Sequence, residues 1–271
     1  MAAELVQIER RAEGIALVTL NDPERLNAMS EAMGGAIQNA AAALKDETGL
    51  RAVVLTGAGR AFSAGGDLDM LVRMAQAGNA DRGGATRAAQ RAFMGRFYRM
   101  YLSVRDLPIP TIAALNGPAI GAGLCVALAC DLRIAAREAK LGLNFTKLGI
   151  HPGMAATWTL PRIVGSAVAA ELIYTGRIVD GEEAARIGLA NRAVPREETL
   201  PVALALAAEI ASAAPLAVRG SKRSLAASSA SDLAAQLDRE AAEQALCYES
   251  ADLLEGLAAV REKRPPKFSG T

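Results

Sequence analysis

The chain is short of several things, and each shortage excludes something. It has 3 cysteines in 271 residues, Cys125, Cys130 and Cys247. They sit among apolar neighbours without metal-ligand spacing, so no metal site is expected, and they suit reduced thiols in a cytoplasmic protein. Charge of one sign is equally scarce. Lys and Arg number 30 and Asp and Glu 29, a formal net charge of +1 with no long basic or acidic block, which argues against nucleic acid as the main partner. No uninterrupted apolar run approaches the ~18 residues of a membrane span, so none is expected. The first residues lack a basic stretch followed by an apolar one, so no signal peptide is expected. A single histidine, His151, is the only side chain whose ordinary titration falls near neutral pH.

What is present is apolar and small. Hydrophobic residues make up 51% of the chain, mostly Ala, Leu and Val, enough for one large core. Leu5 to Arg10 and Gly14 to Leu20 alternate apolar with polar residues and predict a β-hairpin. Ser30 predicts the cap of a helix from Glu31 to about Lys45. Strands are expected at Ala52–Thr56, Thr111–Leu115 and Leu132–Ala135, with a short extended piece at Lys140–Leu143. Helices are expected from Leu68 to about Gln76 and from Thr86 to about Val104. In the second of these, Phe93, Phe97, Met100 and Tyr101 form a core stripe. The stretch from Ala77 to Ala85 predicts a flexible loop. Further helices are expected at Gly153–Leu160, ending before Pro161, and at Ala167–Tyr174, and a strand–helix–strand unit at 178–194. After Pro195 the sequence turns helical and alanine-rich, roughly 198–213, 216–227, 231–247 and 252–262. The alternation predicts an α/β core over 1–195 and a helical region over 196–271.

Two glycine-bearing bends stand out. Val53–Gly57 predicts a buried strand, followed by Ala61-Phe62-Ser63-Ala64-Gly65-Gly66-Asp67-Leu68. Asp67 is placed to cap the helix from Leu68. The strand ending at Leu115 runs into Asn116-Gly117-Pro118-Ala119-Ile120-Gly121-Ala122-Gly123, then an all-small, all-apolar helix to Cys130. The first turn of a helix carries N–H groups without internal partners. Two such bends facing each other would offer two donors to a developing negative charge. Neither loop completes a dinucleotide fingerprint, and no Gly-Lys-Ser/Thr follows.

These two segments resemble the signatures of the crotonase (enoyl-CoA hydratase/isomerase) superfamily. The resemblance extends in order through Leu20-Asn21-Asp22-Pro23, Leu26-Asn27-Ala28, Lys147-Leu148-Gly149-Ile150, Leu160-Pro161-Arg162, Thr175-Gly176-Arg177 and Glu262-Lys263-Arg264-Pro265. It implies a spiral of ββα turns and a C-terminal helical region that packs subunits into homotrimers, often paired as hexamers. It implies an enzyme, a lyase or isomerase of fatty-acid or related acyl-CoA metabolism. Coenzyme A would enter as part of the substrate, with no permanently bound cofactor. The backbone amides of Gly66 and Ala122 would form the oxyanion hole. Arg25, Leu26, Ala28, Ala64, Asp67, Leu68, Ile120, Cys125, Asn144, Phe145 and Lys263 would lie along the acyl-CoA, with Arg25 and Lys263 facing its phosphates. Helix capping is the simpler role for Asp67.

The chain departs from that pattern where acid–base chemistry is done. Hydratases of the family use two glutamates, at positions held here by Cys125 and Phe145, and isomerases place an acid where this chain has Gly153. General acid–base catalysis needs a titratable group within hydrogen-bond reach. Two replacements offer themselves: His151 as a base, and Cys125 as a thiolate if its helix-start position lowers its pKa. The alternatives to a hydratase or isomerase are an acyl-CoA-binding protein with reduced turnover, and a decarboxylase or thioester hydrolase on the same fold.

Overall fold

The computed structural model describes residues 4–271. Strands β1 (Val6–Arg11) and β2 (Ile15–Leu20) pair as the expected hairpin. β2 then begins a parallel series with β3 (Ala52–Gly57), β4 (Thr111–Leu115), β6 (Leu132–Ala136) and β8 (Arg192–Val194). The six-stranded order is β1-β2-β3-β4-β6-β8. Strands buried on both faces read as continuous apolar runs, which is why Ala52-Val53-Val54-Leu55 shows no alternation.

Beside this sheet runs a second, thinner ladder. Met29 bridges Gly66, Ser63 bridges Ala119, and β5 (Ala119–Ile120) pairs in parallel with β7 (Leu141–Gly142). Leu141 in turn bridges Val179. Each pass of the chain therefore makes a long strand in the main sheet, a short piece in the second ladder, and then a helix. That is the spiral of ββα turns the sequence resemblance implies. Its helices are α1 (Glu31–Lys45), α2 (Leu68–Ala80) with α3 (Ala85–Leu102), α4 (Ala122–Ala129), and α5 (Ala156–Val164) with α6 (Ser166–Thr175) and α7 (Gly181–Arg186).

The main core lies between the sheet and α1, α3 and α4. Tyr101 and Phe97 of the expected stripe are buried there, with rings 4.9 Å apart, and the Tyr101 hydroxyl donates to Ser30 O. The opposite sheet face carries Leu17, Val54, Ile112 and Ile134 against Ala203, Ala207 and Ala211. These alanines are one row of α8 (Thr199–Ala211), whose small side chains let the helix lie close to the sheet. Strands cease at Val194, as the composition suggests, yet packing crosses that point because α8 covers the sheet. Helices α9 (Pro215–Ser228), α10 (Leu233–Tyr248) and α11 (Ala251–Glu262) follow. They carry eight of the exposed large apolar side chains, among them Leu225, Leu233, Leu254 and Val260.

Three expectations are corrected. α2 runs on to Ala80, so the loop before α3 is only 81–84; the glycine at 78 is tolerated inside the helix. α5 starts at Ala156 and continues through Pro161 to Val164. Proline forfeits one N–H bond, but its φ fits a helix, and the buried Leu160 secures that turn. The first strand of the 178–194 unit is reduced to the single Leu141–Val179 bridge.

Candidate active site

The two glycine-bearing bends meet. The Ser63 N–H donates to Pro118 O (3.0 Å) and the Ile120 N–H to Ser63 O (3.1 Å), so the second ladder stitches them side by side. Gly65 has φ +102°, and a Cβ there would stand 2.7 Å from Ile120 O. Only glycine allows this approach. A Cβ on Gly123 would stand 2.6 Å from Ser63 Cβ, so α4 touches the loop because residue 123 has no side chain.

From below, the segment 26–28 fixes the first bend. Asn27 is fully buried; its amide donates to Ala58 O (3.0 Å) and Ala61 O (2.9 Å), and its carbonyl oxygen accepts from Asp22 N–H (2.8 Å). The Ser63 hydroxyl donates to Asn27 O (2.7 Å), and the Ala64 N–H donates to Leu26 O (2.9 Å). Asp67 caps α2, with Oδ1 accepting from Met70 N–H (2.9 Å), while Oδ2 meets Arg25 Nη2 at 2.6 Å. The backbone bond first, and Arg25 beside it, hold the Asp67 carboxyl below its ordinary range. Asp67 is thus a cap and an anchor for Arg25, and as a held anion it is a poor proton carrier.

A cavity of about 160 Å³ opens where the bends meet, and both Gly66 and Ala122 line it. Among the described residues neither the Gly66 nor the Ala122 N–H donates to a protein acceptor, whereas Gly65 N–H is taken by Ser63 Oγ and Gly121 N–H by Gly142 O. Of the other residues singled out in the sequence, Ala64, Leu68, Ile120, Asn144, Phe145 and His151 also line the cavity. Leu26, Ala28, Cys125 and Lys263 do not, and Arg25 and Asp67 face a separate cleft of about 690 Å³ beyond Met70. The larger cleft has neither free amide, so the smaller one is the candidate site.

Cys125 corrects an expectation. It is 1% exposed, its Sγ faces Gly153 O at 3.7 Å, and burial pushes its thiol up to about 12. A helix start lowers a thiol pKa only where the thiolate is solvated or paired, and here desolvation wins. His151 is exposed at the cavity rim, with Nδ1 2.7 Å from Pro152 O. A carbonyl oxygen only accepts, so Nδ1 carries the hydrogen and Nε2 of the neutral ring keeps its lone pair.

Sequence reasoning missed Met70, Leu71, Met94, Tyr98 and Met154, which also line the cavity. Met94 and Tyr98 are four residues apart on α3 and form a second stripe beside the recognised one. Among the described residues, no group of three or more His, Cys, Asp or Glu side chains could hold a metal. No single helix described is long and apolar enough to cross a membrane.

A spiral of ββα turns with two glycine bends opening on one apolar cavity defines the crotonase superfamily. Comparison places the chain within it. The family model for Enoyl-CoA hydratase/isomerase matches residues 10–271, and the chain belongs to that family. It is 34% identical over 269 residues to the crotonyl-CoA hydratase of Syntrophomonas wolfei, covering 99% of both chains. It is 38% identical over 267 residues to the mouse mitochondrial enoyl-CoA hydratase domain-containing protein 2, covering 95% of this chain and 85% of that one. The crystal structure of an enoyl-CoA hydratase from Bacillus anthracis superposes with a TM-score of 0.89 at 36% identity, covering 98% of this chain and 100% of the other.

Proposed function

We propose that the cavity binds the acyl thioester of an enoyl-CoA and stabilises its enolate between the Gly66 and Ala122 amides, and that the reaction is addition of water across the double bond. The observation that carries this reading is the pair of unpartnered N–H groups on one apolar cavity. Fixed donors in a water-poor site act most strongly on charge that develops during reaction. The likeness to the crotonyl-CoA hydratase of Syntrophomonas wolfei supports hydration as the reaction.

The CoA arm leaves past Leu26, Ala28, Ala64 and Leu68. Leu68 is 68% exposed, an apolar side chain standing at the mouth of the cavity. Arg25, fixed by Asp67 but with its side chain 52% exposed, is available to the CoA phosphates. His151 Nε2 serves as the base that takes a proton from water. The exposed apolar side chains of α9 to α11 support assembly into homotrimers or hexamers.

Crotonyl-CoA turnover measured beside a butyryl-CoA titration tests the reading, with His151→Ala as the variant. Turnover is expected in the wild type, and a loss on the order of a hundredfold in the variant with binding retained. Unchanged turnover removes His151 as the base, and absence of butyryl-CoA binding removes the thioester site altogether. One observation favours a second reading, an acyl-CoA binder with reduced turnover: among the described residues no carboxylate lines the cavity. Binding without turnover would establish it.

A further inference from the structure

Among the described residues the polar side chains lining the cavity are Tyr98, Asn144 and His151, and of these Tyr98 and His151 can exchange a proton with a substrate. Adding water takes two proton steps, one off the water at the rim and one onto the enolate carbon inside, and the cavity offers a separate group for each. Tyr98 follows the buried Phe97 on α3, lines the cavity, and reaches the turn at Gly153 with the hydroxyl end of its ring. A Cβ at residue 153 would stand 2.7 Å from Tyr98 Cζ and 3.0 Å from Cε1, so the phenol occupies the space that glycine leaves open. Cys125 Sγ lies against the same turn. The Tyr101 hydroxyl is spent on Ser30 O, but among the described residues the Tyr98 hydroxyl has no protein partner.

We propose that Tyr98 is a catalytic residue, the proton donor that quenches the amide-held enolate at its α carbon. The assignment rests on the thioester-enolate reading given above. In the step it completes, His151 Nε2 takes a proton from water and the water oxygen bonds to the β carbon. The electrons of the α–β double bond move onto the thioester oxygen. As they return, the α carbon takes the Tyr98 proton and the O–H electron pair stays on the phenolate. The imidazolium then returns its proton to the phenolate, so one water is added and both side chains are restored. Burial, with Cys125 a lesser influence, raises the Tyr98 pKa, which keeps the phenol protonated between turnovers.

The test is Tyr98→Phe in the full chain, assayed for crotonyl-CoA turnover and butyryl-CoA binding. Binding is expected to stay within about threefold of wild type while kcat falls on the order of a hundredfold or more, a loss confined to the reacting step. A second variant, Gly153→Ala, places a methyl group where the phenol sits. It is expected to lower kcat in the wild-type background and to add almost nothing to Tyr98→Phe, the non-additivity of groups acting as one. A folded Tyr98→Phe protein with wild-type kcat overturns the assignment, as do additive losses in the double variant. Wild-type protein that binds butyryl-CoA without turning over crotonyl-CoA overturns the assignment and leaves the thioester site standing. Wild-type protein that binds neither thioester removes both.

Discussion

Ala122→Pro subtracts one N–H from the cavity and nothing from the fold. Ala122 is the first residue of α4, a position where proline is at home because its missing hydrogen has no helical partner. Gly121 before it sits at φ 52°, ψ −118°, outside the right-handed helical region that a following proline disfavours. No described protein group accepts from the Ala122 N–H, so no internal hydrogen bond is lost. If Ala122 and Gly66 together hold the thioester oxygen, the variant keeps one donor of two. Removing one oxyanion donor costs about 10²–10³ in kcat, or about 2.7–4 kcal/mol of transition-state stabilisation. The ring carbon that replaces the hydrogen also crowds the oxygen, so the larger figure is the better expectation. The assay is the initial rate on crotonyl-CoA, with thermal unfolding as the fold control and Ala122→Ser, which keeps the amide, as the chemical control. A proline variant that unfolds with the wild type and turns over at the wild-type rate would refute the two-amide reasoning.

Three further outcomes follow from the same geometry. Asp67→Ala should cost about 1 kcal/mol at neutral pH by uncapping α2. The native carboxyl titrates below its unfolded value near 3.9, so its contribution is present above that pH and fades as pH falls toward the folded value. Denaturant curves of the two proteins should therefore converge in acid, and a gap independent of pH would remove the role given to the charge. Gly123→Ala should destabilise by about 1–3 kcal/mol through overpacking, since its Cβ would meet Ser63 Cβ at 2.6 Å and Ser63 O at 2.8 Å. Equal unfolding midpoints would show that the loops separate freely. Val260→Asp, at a site 78% exposed on α11, should shift the protein toward the monomer in sedimentation, while a wild type that sediments as a monomer ends the assembly reading.

The scaffold was largely legible in the sequence because local signals and tertiary packing agree there. Ser30 accepts from Met33 N–H and Asp67 from Met70 N–H, as capping residues three positions before their donors should. The continuous apolar runs of β3 and β4 declare strands covered on both faces. What was illegible depends on contacts distant in sequence. Pro161 looks like a helix stop until Leu160 is seen buried beneath it. Cys125 looks like an activated thiol until its burial is known, because desolvation outweighs the lowering that a helix start gives. Tyr98 was hidden by its own neighbours. It stands one residue from the recognised aromatic stripe, and nothing local reveals that residue 153, 55 positions further on, is the glycine that makes room for it.

The missing carboxylates also change the charge balance of the proposed reaction. A carboxylate base loses its charge as the enolate gains one, so the cavity holds a single negative charge throughout. A neutral imidazole base instead creates two charges, imidazolium and enolate, where there were none. In an apolar cavity such a separation is costly unless the ions are close or one is quickly quenched. His151 is exposed at the rim, where water solvates its cation, while the enolate sits inward against the two amides. The inner charge is thus the expensive one, and a proton donor within the cavity has the most to contribute. Tyr98 fits because it is uncharged before the step and its phenolate is the stronger base afterwards, which draws the proton back from the imidazolium.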